Sequence, residues 1–104
     1  MKEYSVVISH DAFLDLQSIY EYIRYSLLSP DTAQNIYERI TNQILNLNQM
    51  PERFKLLETE IENKRGIYRM NVDNYAVFYI IKDQTVIVTN VLYGASDIIQ
   101  RLKL

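Results

Sequence analysis

Apolar residues recur along this chain with two different periods, and the switches between them mark out the elements. Near the start, Tyr4, Val6 and Ile8 alternate with Ser5, Val7 and Ser9, and a period of two predicts a strand. Ser9 then offers an N-cap hydroxyl and Asp11 a first-turn acid, so a helix should begin at once. Phe13, Leu16, Tyr20, Ile23 and Leu27 follow at helical spacing, and Ala12 and Ile19 widen the stripe. Such a stripe predicts one amphipathic helix of about five turns.

Ser29-Pro30-Asp31 reads as a second helix start: an N-cap, a proline at the first helical position, then an acid. Ala33, Ile36, Tyr37, Ile40, Ile44 and Leu47 form its apolar stripe. Pro51 lacks an N–H and biases Met50 away from helix, so the helix should end before it. Two long helices with almost no loop between them predict an antiparallel hairpin whose apolar seam needs a sheet to lie on.

Glu52 to Lys64 is polar and mixed in charge, with Phe54, Leu56, Leu57 and Ile61 as its sizeable apolar residues; it is expected to be a connecting loop. Three strands should follow. Ile67 to Val72 leads through Asp73-Asn74, which tolerate positive φ, into Tyr75 to Ile81. The latter is apolar on both faces, as a central strand is. Lys82-Asp83-Gln84 should turn the chain into Thr85 to Tyr93, Gly94 should end that strand, and Ser96-Asp97 should open a short helix carrying Ile98, Ile99 and Leu102. The predicted order is β-α-α-β-β-β-α. It describes an α+β domain, a helical hairpin packed on a mostly antiparallel four-stranded sheet.

Composition narrows the function classes. At 104 residues the chain has room for a single domain, spanning 1–104. It has no cysteine, hence no disulfide framework or thiolate metal site, and its one histidine, His10, excludes a multi-histidine metal centre within one chain. The opening residues run straight into a strand pattern, which predicts no signal peptide. The longest apolar run, Tyr75 to Ile81, is far too short for a bilayer, so a cytoplasmic location without membrane association is expected. The net charge of −2 gives no basic surplus, and any nucleic-acid contact must come from a local patch.

Several of these segments also match a family pattern. The strand Tyr4-Ser5-Val6-Val7-Ile8-Ser9, leading into Ala12, Asp15-Leu16, Ile19 and Tyr22-Ile23, resembles the "A..DL..I..YI" opening of the ParE-like branch of the RelE/ParE toxin superfamily. Ala33, Ile40, Ile44, Leu47 and Pro51-Glu52-Arg53 resemble its second helix and exit. The most specific match runs from Gly66 to Ile80, which is similar to the family hairpin "gyR.l.v.nY.vfY.v", and Val86 to Asp97 resembles "V.I..V.yg.rD". The resemblance covers nearly the whole chain in the right order.

It implies a small toxin of a type II toxin–antitoxin module that blocks growth until a cognate antitoxin wraps it. The antitoxin would cover an apolar groove involving the helical hairpin and a sheet edge. No cofactor or metal is implied. One branch of the family cleaves mRNA on the ribosome and another poisons DNA gyrase, so fold alone does not choose. The nuclease branch commonly carries an arginine just after the tyrosine opening the central strand, where this chain has Ala76. It also often has basic residues after the last strand, where this chain has Gly94-Ala95-Ser96. Alanine neither donates to phosphate nor carries charge, and these departures favour gyrase inhibition by binding. The alternatives are a ribosome-dependent endoribonuclease and a homologue that has lost its activity.

A metal-free ribonuclease needs arginines or lysines to stabilise phosphorane-like charge and a group to move protons. Arg69, Arg65 and Tyr93 are the candidate catalytic residues on that alternative. Arg69 is also suited to an acidic antitoxin segment, or to a structural pair with Asp73 or Glu58. Arg53, Lys64 and Arg101 are candidate binding residues. Lys55 would extend a basic rim, and Lys103 lies beside Arg101 on the expected last helix. Tyr75 and Tyr79 offer stacking or proton donation, against the commoner role of aromatic strand residues in packing. His10 reads as a solvent-facing helix-start residue, and Asp97 as a helix-start acid.

Overall fold

The computed structural model describes residues 3–56 and 66–94. In chain order the elements are β1 (Ser5–Ile8), α1 (His10–Glu21), a π-helical turn (Tyr22–Ser26), α2 (Pro30–Leu45), β2 (Lys55–Leu56), β3 (Tyr68–Val72), β4 (Tyr75–Lys82) and β5 (Thr85–Tyr93). They form a five-stranded sheet in the order β1-β5-β4-β3-β2. β1 runs parallel to β5, and the other neighbours are antiparallel. The expected four-stranded sheet thus gains a strand, because Lys55 and Leu56 pair with Arg69 and Tyr68 at the sheet edge. Two residues carry no readable period, so this strand hid inside the expected loop.

Ser9 caps α1 as expected: its hydroxyl accepts the Ala12 N–H at 3.1 Å. The helical stripe sits slightly differently from expectation. Ala12, Leu16 and Ile23 are buried and Ile19 packs partly against the core, whereas Phe13 is 53% exposed and Leu27 also faces out. The seam runs through the small residue and Ile19 because Ala12 lets the helix approach the sheet closely. The single five-turn helix is also corrected. Regular α-helix stops at Glu21, and the next turn is π-helical, with the Leu27 N–H donating to the Tyr22 carbonyl at 3.1 Å.

Leu28 closes this turn at φ +53°. Ser29 does not cap α2 with its side chain; its hydroxyl instead donates to the Leu27 carbonyl at 3.2 Å. Pro30 occupies the first turn of α2, where its missing N–H costs nothing. Ala33 is fully buried, and Ile40, Ile44 and Leu47 are buried against Met70, Val77, Tyr79, Val86, Val88 and Val91 of the sheet. A second, smaller cluster of Ile67, Ala76, Phe78 and Leu92 lies on the sheet's other face.

Both hairpin turns place an aspartate at positive φ, Asp73 at 54° and Asp83 at 57°. Asp is one of the few non-glycine residues that visit this region readily. In β5 a bulge at Thr89 shifts the register, so that Phe78 faces Asn90 while Tyr79 faces Val88. β1 covers the outer edge of β5 only as far as Val88. Beyond that point α1 takes over: the Ser9 hydroxyl donates to the Thr89 carbonyl at 3.1 Å, and Asp15 accepts the Val91 N–H at 2.9 Å. The helical hairpin is thereby fixed across the C-terminal half of β5. The expected C-terminal helix beginning at Ser96-Asp97 lies outside the described residues.

Candidate functional site

Alternation along β3 divides its residues between two environments. Met70 and Val72 enter the main core, while Arg69 and Asn71 point to the other face. Arg69 Nε donates to Asn71 Oδ1 at 2.9 Å, and its guanidinium lies 5.7 Å from the centre of the Phe78 ring. Phe78 is its cross-strand neighbour. A guanidinium held by a hydrogen bond and an aromatic face has lost much of its rotamer freedom before any ligand arrives. The expected structural pairing with Asp73 is not what forms, since Asp73 is bonded by Arg39 of α2.

Arg69 lines an open cleft of about 340 Å³ with Asn71, Asp73, Asn74, Tyr75, Tyr93 and Gly94. Gly94 matters through its lack of a side chain. A Cβ there would stand 3.5 Å from Arg69 Nη2 and 3.3 Å from the Asn74 carbonyl oxygen. The Gly94 N–H donates to that same carbonyl at 2.8 Å, which closes the mouth of the hairpin. Tyr93 is half exposed and meets Tyr75 edge to face, with ring centres 5.8 Å apart.

Around those tyrosines the cleft opens into a larger groove of about 730 Å³. Ile19, Tyr22, Ile23 and Leu27 form its wall on the first helical arm, Thr32 and Ile36 on α2, and Tyr75, Val91, Leu92 and Tyr93 on the sheet. It lies between the helical hairpin and the ends of β4 and β5, which are interior strands, rather than at the sheet edge that the sequence suggested. The hydroxyl of Tyr75 has its pKa pushed up, first by burial and then by the neighbouring Tyr93, Tyr22 and Asp73. It stays protonated near neutrality and is a hydrogen-bond donor there, not a base.

The other candidate residues go elsewhere. Arg53 donates from Nη1 to the carbonyls of Gln49 and Met50 at 2.6 and 2.9 Å and lies over the Phe54 ring. It closes off the chain after α2 and lines a separate polar cavity. Tyr79 is fully buried; its hydroxyl donates to the Pro51 carbonyl at 2.6 Å and its ring stacks on Tyr68. Lys55 is exposed on β2, and His10 is exposed at the start of α1. Arg65, Lys64, Arg101, Ala95, Asp97, Lys103 and Glu58 lie outside the described residues. Ala76 is fully buried between Asn71 and Leu92 of the adjoining strands.

Arg69, Tyr93 and Tyr75 are the candidates that the structure brings together among the described residues. Asn71, Asn74 and Gly94 join them, and sequence reading overlooked the asparagines. The alternation of β3 could have found Asn71, which shares the face of Arg69. Asn74 and Gly94 are brought in by the hairpin register, which pairs Tyr75 with Tyr93. Among the described residues no cluster of His, Cys, Asp or Glu is arranged to hold a metal ion, and no helix is long and apolar enough to cross a membrane.

This architecture has solved counterparts. A chain of the chromosomal ParDE system from P. aeruginosa superposes with a TM-score of 0.74 at 17% identity, covering 89% of this chain and 98% of that one. A chain of the RelBE2 toxin–antitoxin complex from Mycobacterium tuberculosis gives a TM-score of 0.66 at 22% identity, covering 88% and 98%. At these identities the likeness establishes the fold, which is that of RelE/ParE toxins. No curated protein gives a significant sequence match. The model of the ParE toxin of type II toxin–antitoxin systems matches residues 6–98, and the chain belongs to that family.

Proposed function

We propose that this ParE-family toxin arrests growth by binding its target, with DNA gyrase the target, and that a cognate antitoxin neutralises it in the cytoplasm. The observation that carries the reading is the contrast between the two openings. The larger is a groove walled mostly by apolar and aromatic side chains, with the carboxylates of Asp15 and Asp73 at its margin and no cation among its described lining residues, the kind of surface that takes a protein segment. The smaller has a single cation, Arg69, among its described lining residues, beside the carboxylate of Asp73. Phosphoryl chemistry without a metal draws on several convergent cations and a proton-transfer group of suitable pKa. The buried alanine at position 76 supplies neither.

The test is inducible expression in bacterial cells, with sequencing of mRNA 5′ ends and a supercoiling assay on purified protein with gyrase. Growth arrest with intact message and gyrase-trapped DNA breaks is the expected result. New 5′ ends at codon positions within minutes would overturn binding in favour of ribosome-dependent cleavage, with Arg69 and Tyr93 as its candidates. Normal growth with neither effect would identify a homologue without toxicity.

A further inference from the structure

The apolar stripe along the first helix is wider than the seam that packs on the sheet. Ala12, Leu16 and Ile23 enter the core, but Phe13 is left half exposed on the outward side of the helical hairpin. It borders a cavity of about 300 Å³ between α1 and α2, lined by Phe13, Leu16, Gln17, Tyr20, Gln34 and Tyr37. Tyr20 and Tyr37 meet edge to face there, with ring centres 6.0 Å apart. Arg24 Nη1 donates to the Tyr20 hydroxyl at 2.8 Å and so holds the ring in place. None of the six lining residues is charged. Each of the three cavities described above, by contrast, holds a carboxylate or a guanidinium.

We propose that this face pairs with the same face of a second copy of the chain, α1 packed antiparallel on α1 about a two-fold axis beside Gln17. Such an interface must be complementary to itself. Charge is the first requirement: a charged patch meets its own sign across the axis, and this one carries no charge to repel. Shape is the second. The patch holds both a projecting ring, Phe13, and the hollow beside Tyr20 and Tyr37 that could receive it. Spacing is the third. Positions 13, 16, 17 and 20 of α1 read the same in both directions, so antiparallel pairing lays Phe13 on Tyr20 of the other copy and Leu16 on its Gln17. Ring meets ring at both ends of the contact. Glutamine carries both donors and an acceptor, so Gln17 can bond its own copy near the axis.

The pairing goes beyond the toxin reading and does not depend on it. Asp15, Ser18 and Ile19, the residues of α1 that line the large groove, lie on the opposite side of the helix from Phe13 and Gln17. Both grooves of a pair therefore stay open, and the pair presents two equivalent sites to whatever binds there. One helix face per copy is a small interface, so it should form at micromolar rather than nanomolar concentration.

The experiment is sedimentation velocity of the purified full chain, from micromolar to near-millimolar concentration. Wild type should shift from monomer to dimer across the series. Q17E and Q17K each set like charges face to face at the axis and should weaken self-association about tenfold or more. An equimolar mixture of the two should restore the dimer, which two misfolded variants could not do. F13E should be monomeric throughout. L14K alters an exposed apolar residue of the same helix outside the patch and should behave as wild type. Circular dichroism of each variant checks the fold.

A wild-type chain that stays monomeric across the series overturns the pairing. So does a dimer that survives Q17E, Q17K and F13E, or a mixture that fails to restore what the single variants lose. A monomeric wild type whose folded F13E variant no longer arrests growth would give the patch to the toxin's target instead.

Discussion

The Asp15 carboxylate of α1 accepts the backbone N–H of Val91 in β5 at 2.9 Å, and through this bond the helical hairpin is registered on the sheet. The N–H lies past the end of β1, where no strand remains to receive it. The same oxygen is within 3.4 Å of Asn90 Nδ2. Asp15→Ala should therefore cost about 1–3 kcal/mol, the penalty for a partly buried donor left without its acceptor. Asp15→Asn, which can still accept through its carbonyl, should cost less. Urea unfolding of the two variants checks the order; equal losses would show that the negative charge, and not the acceptor, is what matters.

A second prediction concerns alkaline pH. Burial raises the pKa of Tyr79 above the ordinary tyrosine value of 10.0, outweighing the opposing pull of Arg53. Tyr4 is raised too, chiefly because its hydroxyl donates to Glu52 Oε2 at 2.8 Å. A raised phenol favours the protonated form in the folded state. Its contribution is fully present below the unfolded value and is lost as pH rises through the folded one. Stability should thus be flat from neutrality to about pH 10 on this account and fall above it. Tyr79→Phe should lower the plateau by about 1 kcal/mol, by removing the hydrogen bond to Pro51. It should also soften the alkaline fall. A fall of unchanged steepness would assign it to other groups.

Leu28 provides the third. It is 81% exposed and sits at φ +53°, a conformation that costs an ordinary L-residue of order 1 kcal/mol. Asparagine visits this region more readily. Leu28→Asn should raise the unfolding midpoint by the equivalent of up to about 1 kcal/mol. If the exposed hairpin tip contacts the toxin's target, the same variant should be less toxic despite being more stable. A more stable and equally toxic Leu28→Asn would remove the tip from the target interface.

How much could be read beforehand follows from where the physics is local. The two hairpin turns were legible because Asp73-Asn74 and Asp83 are residue types that accept positive φ, and the strands between them carry strong apolar patterns. The helix starts were legible from the cap and first-turn residues Ser9 and Asp11, and Ser29, Pro30 and Asp31, although of the two serines only Ser9 caps with its side chain. The π-turn at Tyr22–Ser26 was not, since it keeps an apolar stripe while shifting its face. β2 was hidden because its pairing to β3 is a tertiary fact with no period of its own. At the site, Arg69 and Tyr93 were readable by residue type and by family pattern. Arg53 was not separable from them by composition: its guanidinium is taken up by the carbonyls of Gln49 and Met50, bonds that depend on the chain's path after α2.

The last prediction tests why position 76 holds alanine. Installing an arginine there restores, on paper, the cation that the nuclease branch of the family carries. Ala76 is nevertheless fully buried, packed in the cluster with Ile67, Phe78 and Leu92. An arginine would have to push these side chains aside and bring a charge into an apolar cluster. Overpacking alone costs about 1–3 kcal/mol, and an unpaired buried charge adds several more. Such a sum approaches the whole stability of a small domain. Ala76→Arg should therefore lose cooperative thermal unfolding and gain no cleavage of mRNA. A folded Ala76→Arg that cuts message on the ribosome would show instead that the cleft was one side chain away from a nuclease, and that binding as the mode of action had been inferred from a position free to change.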